Sequence, residues 1–596
     1  MPPSLVPNTH EFIIELKDIS DMQKEKIWFD HIDFNSQPKL EKSDFEILQQ
    51  VLCDSLKDKK YNPKKLVIED HTPRMLFLSI APKNITATVF CEGSFGLLSA
   101  LEVLFARFLK DFASYQVDDL VVKLDIVTNV IVLKNCTADT RYPLERGLHG
   151  IAFAVEYKLA ILPEQIAYNF LLDDNLELYL NRSYNYLENS PLEASKFFQV
   201  LNSKKFTVYL FETEGFLVEK EQLHMLYRGQ KLYNKIDIKD IKHSIKIAAL
   251  YLNDSVYPSG RFDYSYYADA NRSMKDYSVL RHAGTIFSMA EYYDVLKDHN
   301  ILPAIKRAMS YMIRFFVPGI ENANTICLLE RGSIKLGGNG LAILAIAKYT
   351  EVTKDNAYVP LMKKACEWIL EKMNEDGSFP GHIQYYPKGN YKNMISDYYP
   401  GEAIYGLMLA NKIVPDKRFV EAAYKIAKWL INTRDGNKTV RELQHDHWLL
   451  YGLNELHRAK QDQQFIEHVA KICNAIMNKQ NLQVKYPDYF GSFYAGDPRS
   501  TPAATRSEGL LAAYRLIRDY DDNEQLALSI MECAKRTIGF QLRTQYTELT
   551  TMYLAVREKA YGGFRGSINT HEIRIDYVQH NLSSLLALYQ IMMENS

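Results

Sequence analysis

Gly337-Gly338-Asn339-Gly340-Leu341-Ala342-Ile343-Leu344-Ala345-Ile346-Ala347 is the stretch whose reading decides the fold. It carries no charge and is rich in Gly and Ala, residues small enough to let helices approach closely. Gly509-Leu510-Leu511-Ala512-Ala513-Tyr514 has the same character. Between such segments stand others of a different kind, among them Ala308-Met309-Ser310-Tyr311-Met312-Ile313, Ala365-Cys366-Glu367-Trp368-Ile369-Leu370 and Ala427-Lys428-Trp429-Leu430-Ile431. Each of these sets a small residue before bulky ones on a helix with basic flanks. The two kinds alternate through about twelve amphipathic segments between residues 240 and 593, and alternation marks a repeated supersecondary unit. Six helical hairpins are predicted, with the small-residue helices inside and the others outside. Gly260-Arg261-Phe262, Gly377-Ser378-Phe379, Gly491-Ser492-Phe493 and Gly562-Gly563-Phe564 recur before inner helices, where Gly permits a tight turn and Phe caps the core behind it.

Inner helices of such a ring run parallel, so their N-terminal ends meet at one mouth. Each opens with a polar cluster: Asp276 to His282, Lys335 with Asn339, Asp397 to Glu402, His445-Asp446-His447-Trp448, Thr505-Arg506-Ser507-Glu508, and Arg574 to His580.

Upstream of about residue 235 the organisation differs. Strand-like runs such as Leu120 to Val127 and Phe206 to Phe211 mix with a helix read over Ser94 to Phe112, whose Leu97, Leu101, Leu104, Phe105 and Phe108 share a face. The predicted fold class is therefore an α+β N-terminal domain, residues 1–235, followed by an all-α (α/α)6 toroid, residues 236–596. Hydrophobic residues at 47% and charged residues at 24% exclude a disordered or fibrous chain. A net charge of −2 without a long Lys/Arg run argues against nucleic acid as partner. Met1-Pro2-Pro3-Ser4-Leu5-Val6-Pro7 has neither a basic cluster nor an apolar run of signal-peptide length, and later apolar runs are interrupted, so a cytoplasmic, non-membrane protein is expected. Seven cysteines, scattered singly without a CxxC pair, read as reduced and mostly buried.

The C-terminal pattern resembles the six-hairpin toroid superfamily, home to glycoside hydrolases, unsaturated-uronide hydrolases and sugar epimerases. The Asp-x-Asp-Asp motif of terpene cyclases and the zinc set of lanthionine cyclases are missing. Over about residues 70–220 the chain is similar to the AMMECR-type domain family, through Cys91-Glu92-Gly93-Ser94-Phe95-Gly96, Gly147-Leu148-His149-Gly150-Ile151 with Leu162-Pro163, and Tyr209 to Phe216. That family's Leu-Arg-Gly-Cys-Ile-Gly run is not reproduced. The resemblance implies a carbohydrate-directed hydrolase or epimerase in the toroid.

Glycoside hydrolysis needs two carboxyl groups across a sugar, one protonated and one ionised. Glu402 and Glu508, at inner-helix starts two hairpins apart, are the expected acid/base pair, with Asp276, His282 and His447 as further catalytic candidates; a neutral imidazole near pH 7 suits an epimerase. Asp276, Asp446 and Asp576 read equally as helix caps. Six helix N-termini with Arg281, Arg506 and Arg574 favour an anionic ligand, unless those arginines pair with Asp276, Glu508 and Asp576. Substrate contacts are therefore expected from Arg281, Asn339, Tyr399, Asp446, Arg506, Arg574, Asp576 and His580, with an acidic or anionic glycan as ligand. His445-Asp446-His447 raises a metal reading, but one HxH element points its imidazoles apart and no second ligand motif follows, so no metal and no cofactor are expected. The aromatic loop Tyr486 to Pro502 is expected to wall the pocket. A non-catalytic binder of an anionic ligand or peptide, and a protein-modifying enzyme, are the rival functions.

Overall fold

The computed structural model of the protein describes residues 42–63, 73–137, 140, 144–154, 158–168, 205–219 and 222–595. Met1 to Pro7 lies outside them. The chain divides into two compact units, which part at Leu232/Tyr233; Ala268–Asn271 and Tyr546–Tyr561 belong with the N-terminal unit. No helix among the described residues is long and apolar enough to cross a membrane. All seven cysteines are buried, and none is joined in a disulfide among the described residues.

The N-terminal unit is α+β. Its antiparallel sheet runs β2-β1-β3-β6-β4-β5, with β7 beside β6 and β8 beside β7. The strands are β1 (Pro73–Pro82), β2 (Thr88–Phe95), β3 (Leu120–Cys136), β4 (His149–Ala154), β5 (Lys158–Ile161), β6 (Phe206–Glu219), β7 (Gln222–Tyr227) and β8 (Gln230–Lys231). Strand alternation sorts β3: Val122, Leu124 and Ile126 pack with Leu101, Leu104 and Phe108 of helix α2 (Leu97–Phe112) and with Leu48, Leu52 and Leu56 of α1 (Lys42–Asp58). Ser94 and Phe95 end β2 rather than begin α2. On the opposite face Lys123 is fully buried, its Nζ 2.7 Å from Asp125 and 3.0 Å from Glu164 of the short helix α3 (Pro163–Tyr168).

The second unit is an (α/α)6 toroid. Its inner helices are α5 (Val279–Leu296), α7 (Leu336–Thr353), α9 (Tyr399–Ile413), α11 (His447–Ala459), α13 (Ser500–Tyr520) and α15 (Ile575–Glu594). Each packs on the next, and α15 returns to α5, closing the ring. The outer helices are α4 (Ile238–Asp254), α6 (Leu302–Met312), α8 (Val359–Lys372), α10 (Lys417–Trp429), α12 (Gln463–Met477) and α14 (Glu524–Arg543). Small residues set the inner spacing as expected: a Cβ on Gly340 would lie 2.6 Å from the Glu402 carbonyl oxygen, and one on Gly406 2.8 Å from that of Gly340.

The recurrent Gly-x-Phe turns join hairpins. Gly260, Gly377, Gly491 and Gly562 all have φ between 84° and 91°. A Cβ on each would fall 2.0–2.2 Å from the carbonyl oxygen of Arg307, Lys425, Arg536 and Ile247 respectively, each on the outer helix of the hairpin that follows in the ring. Gly562 meets α4, the first outer helix, so the same turn that joins neighbours also closes the ring.

One expectation needs correction. Strand signals nearly vanish after residue 236, yet the loops feeding the inner helices pair among themselves. β9 (Ser265–Tyr267) lies between β10 (Arg272–Ser273) and β15 (Glu572–Arg574), and β11 (Phe316–Pro318), β12 (Ile326–Glu330), β13 (Ser333–Lys335) and β14 (Ile383–Tyr385) form a second sheet. Strands this short carry no legible alternation, and they bring polar side chains to the mouth.

Candidate active site at the toroid mouth

A cleft of about 510 Å³ opens where α5, α7, α9 and α15 begin. The short strands supply much of its wall, through Tyr267, Glu330, Lys335, Tyr385, Glu572 and Arg574. Helix starts add Tyr277, Arg281 and Tyr399, and Tyr264 comes from the loop before β9. Lys335, the N-cap of α7, pairs with Glu330, whose Oε1 also accepts the Val279 backbone N–H at 2.6 Å. Nothing in the sequence singled out Glu330, Glu572 or Tyr264, because they sit in loops without a recognisable spacing.

Asp576, near the start of α15, is buried between two arginines. Arg574 donates to both of its oxygens (2.5 and 2.9 Å), and Arg281 Nε lies 3.1 Å from Oδ2. Burial opposes its charge, but these guanidinium contacts hold its pKa below the usual carboxylate range. Arg281 also donates to Tyr264 Oη at 2.5 Å, and Arg574 lies over the Tyr577 ring, 4.3 Å from its centre. This is the pairing alternative for those arginines, with Asp576 serving both.

Glu402, in the first turn of α9, is buried and its Oε2 has no hydrogen-bond partner. That oxygen fills the space a Cβ on Gly337 would take, so glycine there makes room for the carboxyl beside the Tyr399 ring. Burial, then the neighbouring Asp446, raises its pKa to about 8. Asp446 caps α11 through Leu449 N–H (3.1 Å), as the cap reading expects; its other oxygen stands 3.6 Å from Arg434 Nη1. Burial lifts Asp446 to about 7.

Three side chains from α11, α13 and α15 converge. Glu508 is 1% exposed, and its Oε2 lies 2.8 Å from His580 Nδ1 and 3.9 Å from His447 Nε2. The two imidazole centres are 5.3 Å apart. Neither nitrogen of buried His447 has a hydrogen-bond partner. Burial, reinforced by His580 and Arg506, keeps His447 neutral, whereas burial raises Glu508. Arg506 does not pair with Glu508: it donates to His445 Nδ1 (2.8 Å), Pro502 O (2.7 Å) and Tyr494 Oη (2.6 Å), tying the aromatic loop to α13. The imidazoles of the HxH element do diverge, His445 toward Arg506 and His447 toward Glu508.

Two candidates stand elsewhere and a third stands at the rim. His282 is fully buried, with Nε2 2.9 Å from Ala308 O of α6 and Nδ1 2.6 Å from Tyr277 Oη, so it ties inner helix to outer rather than facing the mouth. Asn339 is also fully buried; it accepts from Leu328 N and donates to Lys335 O, bracing β12 against α7. Asp276 lines the cleft, but its side chain is 78% exposed and lies 3.6 Å from Arg331. It suits a rim contact, not an acid/base.

Fold and mouth together define the class, a six-hairpin toroid with its polar groups gathered at the inner-helix starts. The chain is similar to cellobiose 2-epimerase from Bacillus thermoamylovorans B4167, at 11% identity over 59% of this chain and 99% of that one, with a TM-score of 0.48. It is also similar to a sugar epimerase from a ruminal bacterium (13% identity, 59% and 98% covered, TM-score 0.46) and to an unsaturated glucuronyl hydrolase specific for heparin (14%, 60% and 99%, 0.42). No family model matches the chain, the AMMECR family's included. No curated protein matches it.

Proposed function

We propose that the toroid is a carbohydrate-active enzyme whose chemistry is proton transfer at a sugar carbon beside a carbonyl, an epimerase or isomerase. The observation that carries this reading is His447, a buried neutral imidazole with both nitrogens unpartnered, set against the Glu508–His580 pair. With Glu508 ionised, it accepts the Nδ1–H of His580 and leaves the His580 Nε2 lone pair as one base, with the unpartnered imidazole of His447 as the other. Glu402, protonated up to about pH 8, is the acid that donates to a sugar oxygen as charge develops. The tyrosines of the cleft offer faces for a sugar ring. Five cations face three carboxylates along its lining, and with Asp576 behind the wall holding two of the arginines, the remaining excess of positive charge is what supports an anionic sugar as substrate.

A hydrolase is the second reading, favoured by the same protonated Glu402. A purely binding role is less well supported, since neither Glu402 nor Glu508 is locked to an arginine. In the same proposal the N-terminal unit is an AMMECR-like module, with Gly150 lying against the Phe211 ring and Gly96 starting α2 at φ 92°, and the protein is cytoplasmic.

NMR in D2O against uronic acids, phosphosugars, neutral aldoses and ketoses, and acidic oligosaccharides tests this. Deuterium entering at the carbon beside the carbonyl is expected, with turnover lowered about 10²- to 10⁴-fold in Glu402→Gln and His580→Asn. New reducing ends without deuterium would select the hydrolase; no turnover of any sugar would sink both.

A further inference from the structure

The His447, Glu508 and His580 donors lie far apart in sequence, yet one ligand atom of each falls within 4.8 Å of the other two. Glu508 Oε2 is the shared centre, 2.8 Å from one imidazole nitrogen and 3.9 Å from the other. His447 is 4% exposed, and a buried polar group without a partner carries a desolvation cost that a ligand relieves. Arg506, whose charge bears on His447, spends its donors on His445, Pro502 and Tyr494. Two imidazoles and one carboxylate form the donor set of a first-row transition ion, not of calcium or magnesium, which prefer oxygen. Donors bound at about 2.0–2.2 Å sit roughly 3–3.5 Å from one another. The His580–Glu508 edge needs to open slightly, the His447–Glu508 edge to close by less than an ångström, and the His447–His580 edge, at most 4.8 Å, to close by up to about 1.8 Å.

We propose that His447, Glu508 and His580 form a site for a divalent transition-metal ion of the zinc type, and that its occupation shuts off turnover. A bound ion takes up an imidazole lone pair from each histidine and the carboxylate that orients His580. The same groups then cannot move a proton. Metal binding stands independently of the proposed function; only the inhibition rests on it.

The test uses the full chain, stripped with EDTA and titrated with cobalt(II) and then zinc(II). One equivalent of cobalt with visible ligand-field absorption is expected, together with a rise in melting temperature under zinc. His447→Phe and Glu508→Gln should each weaken binding by more than about 100-fold, beyond the effect of losing an outer partner. His445→Gln should leave it intact and guards against a general loss of folding. Absence of cobalt absorption and of any zinc shift overturns the site, as does binding that survives the His447→Phe, Glu508→Gln double variant. If cobalt binds at this cluster and deuterium exchange into sugar continues undiminished, the inhibition is wrong. If cobalt binds and the metal-free chain turns over no sugar, the metal site holds and the epimerase reading fails.

Discussion

His282 and His447 are the same residue type at two inner-helix starts, and they lead opposite lives. His282 satisfies both nitrogens between α5 and α6; His447 satisfies neither. The same substitution should therefore act with opposite sign. His282→Leu takes a partner from the Ala308 carbonyl and from the Tyr277 hydroxyl, which keeps only the Phe262 N–H, and is expected to cost about 2 kcal/mol while leaving turnover per folded molecule unchanged. His447→Leu removes two unsatisfied nitrogens and should stabilise by about 1 kcal/mol while abolishing turnover. Urea unfolding with parallel activity assays measures both. Reading the sequence groups the two because each follows a polar cluster at a helix start. One residue of offset turns a side chain by about 100°, and helix starts are read from sequence with more uncertainty than that. Glu402, Glu508 and His580 were legible as candidates; the direction in which each points was not.

At the scale of the element, glycine separates two roles. In a helix Ala is normally preferred over Gly by about 1 kcal/mol. Gly340→Ala should reverse that sign and destabilise by about 2 kcal/mol, because its Cβ would press on the Glu402 backbone 2.6 Å away; it should also lower activity by shifting the carboxyl. Gly491 and Gly496 share a positive φ, 84° and 83°, but only Gly491 meets another element, the Arg536 carbonyl. Gly496→Ala is expected to cost about 1 kcal/mol for the left-handed backbone, and Gly491→Ala clearly more. Thermal melts of the two variants read the docking contribution as a difference; equal losses would remove it. The Gly-x-Phe recurrence is visible in sequence, and so is the alternation of helix types, since both follow from local turn geometry and a 3.6-residue period. The short strands β9 to β15 are not, because two to five residues hold no period and their pairing joins distant loops.

Across the toroid as a whole, buried titrating groups set a pH dependence whose sign can be worked out. Glu402, raised to about 8, and Asp446 and Glu291, raised to about 7, hold protons in the folded state that the unfolded chain sheds above its ordinary carboxylate pKa, so stability falls as pH rises through that window. His282 and His445, lowered to about 4 chiefly by burial, act oppositely: the unfolded chain binds protons up to about pH 6.5 that the folded one refuses, and stability rises with pH there. The two effects oppose one another below pH 6.5. Above it only the acids remain, so the melting temperature should drop between pH 6.5 and 8. Glu402 alone accounts for about 2 kcal/mol over that span, and Glu402→Gln should flatten the decline. A melting temperature that climbs through pH 8 would contradict these burials. What the sequence by itself determined is the kind of molecule: an α+β part, then six hairpins of small-residue inner and bulkier outer helices, because composition and periodicity are local properties that one helix or turn expresses alone. Only the tertiary structure decided which polar groups meet. Ring closure brings α15 against α5, sets Asp576 between Arg281 and Arg574, and brings His447, Glu508 and His580 from three hairpins within reach of one another, since such meetings depend on the path of the whole chain.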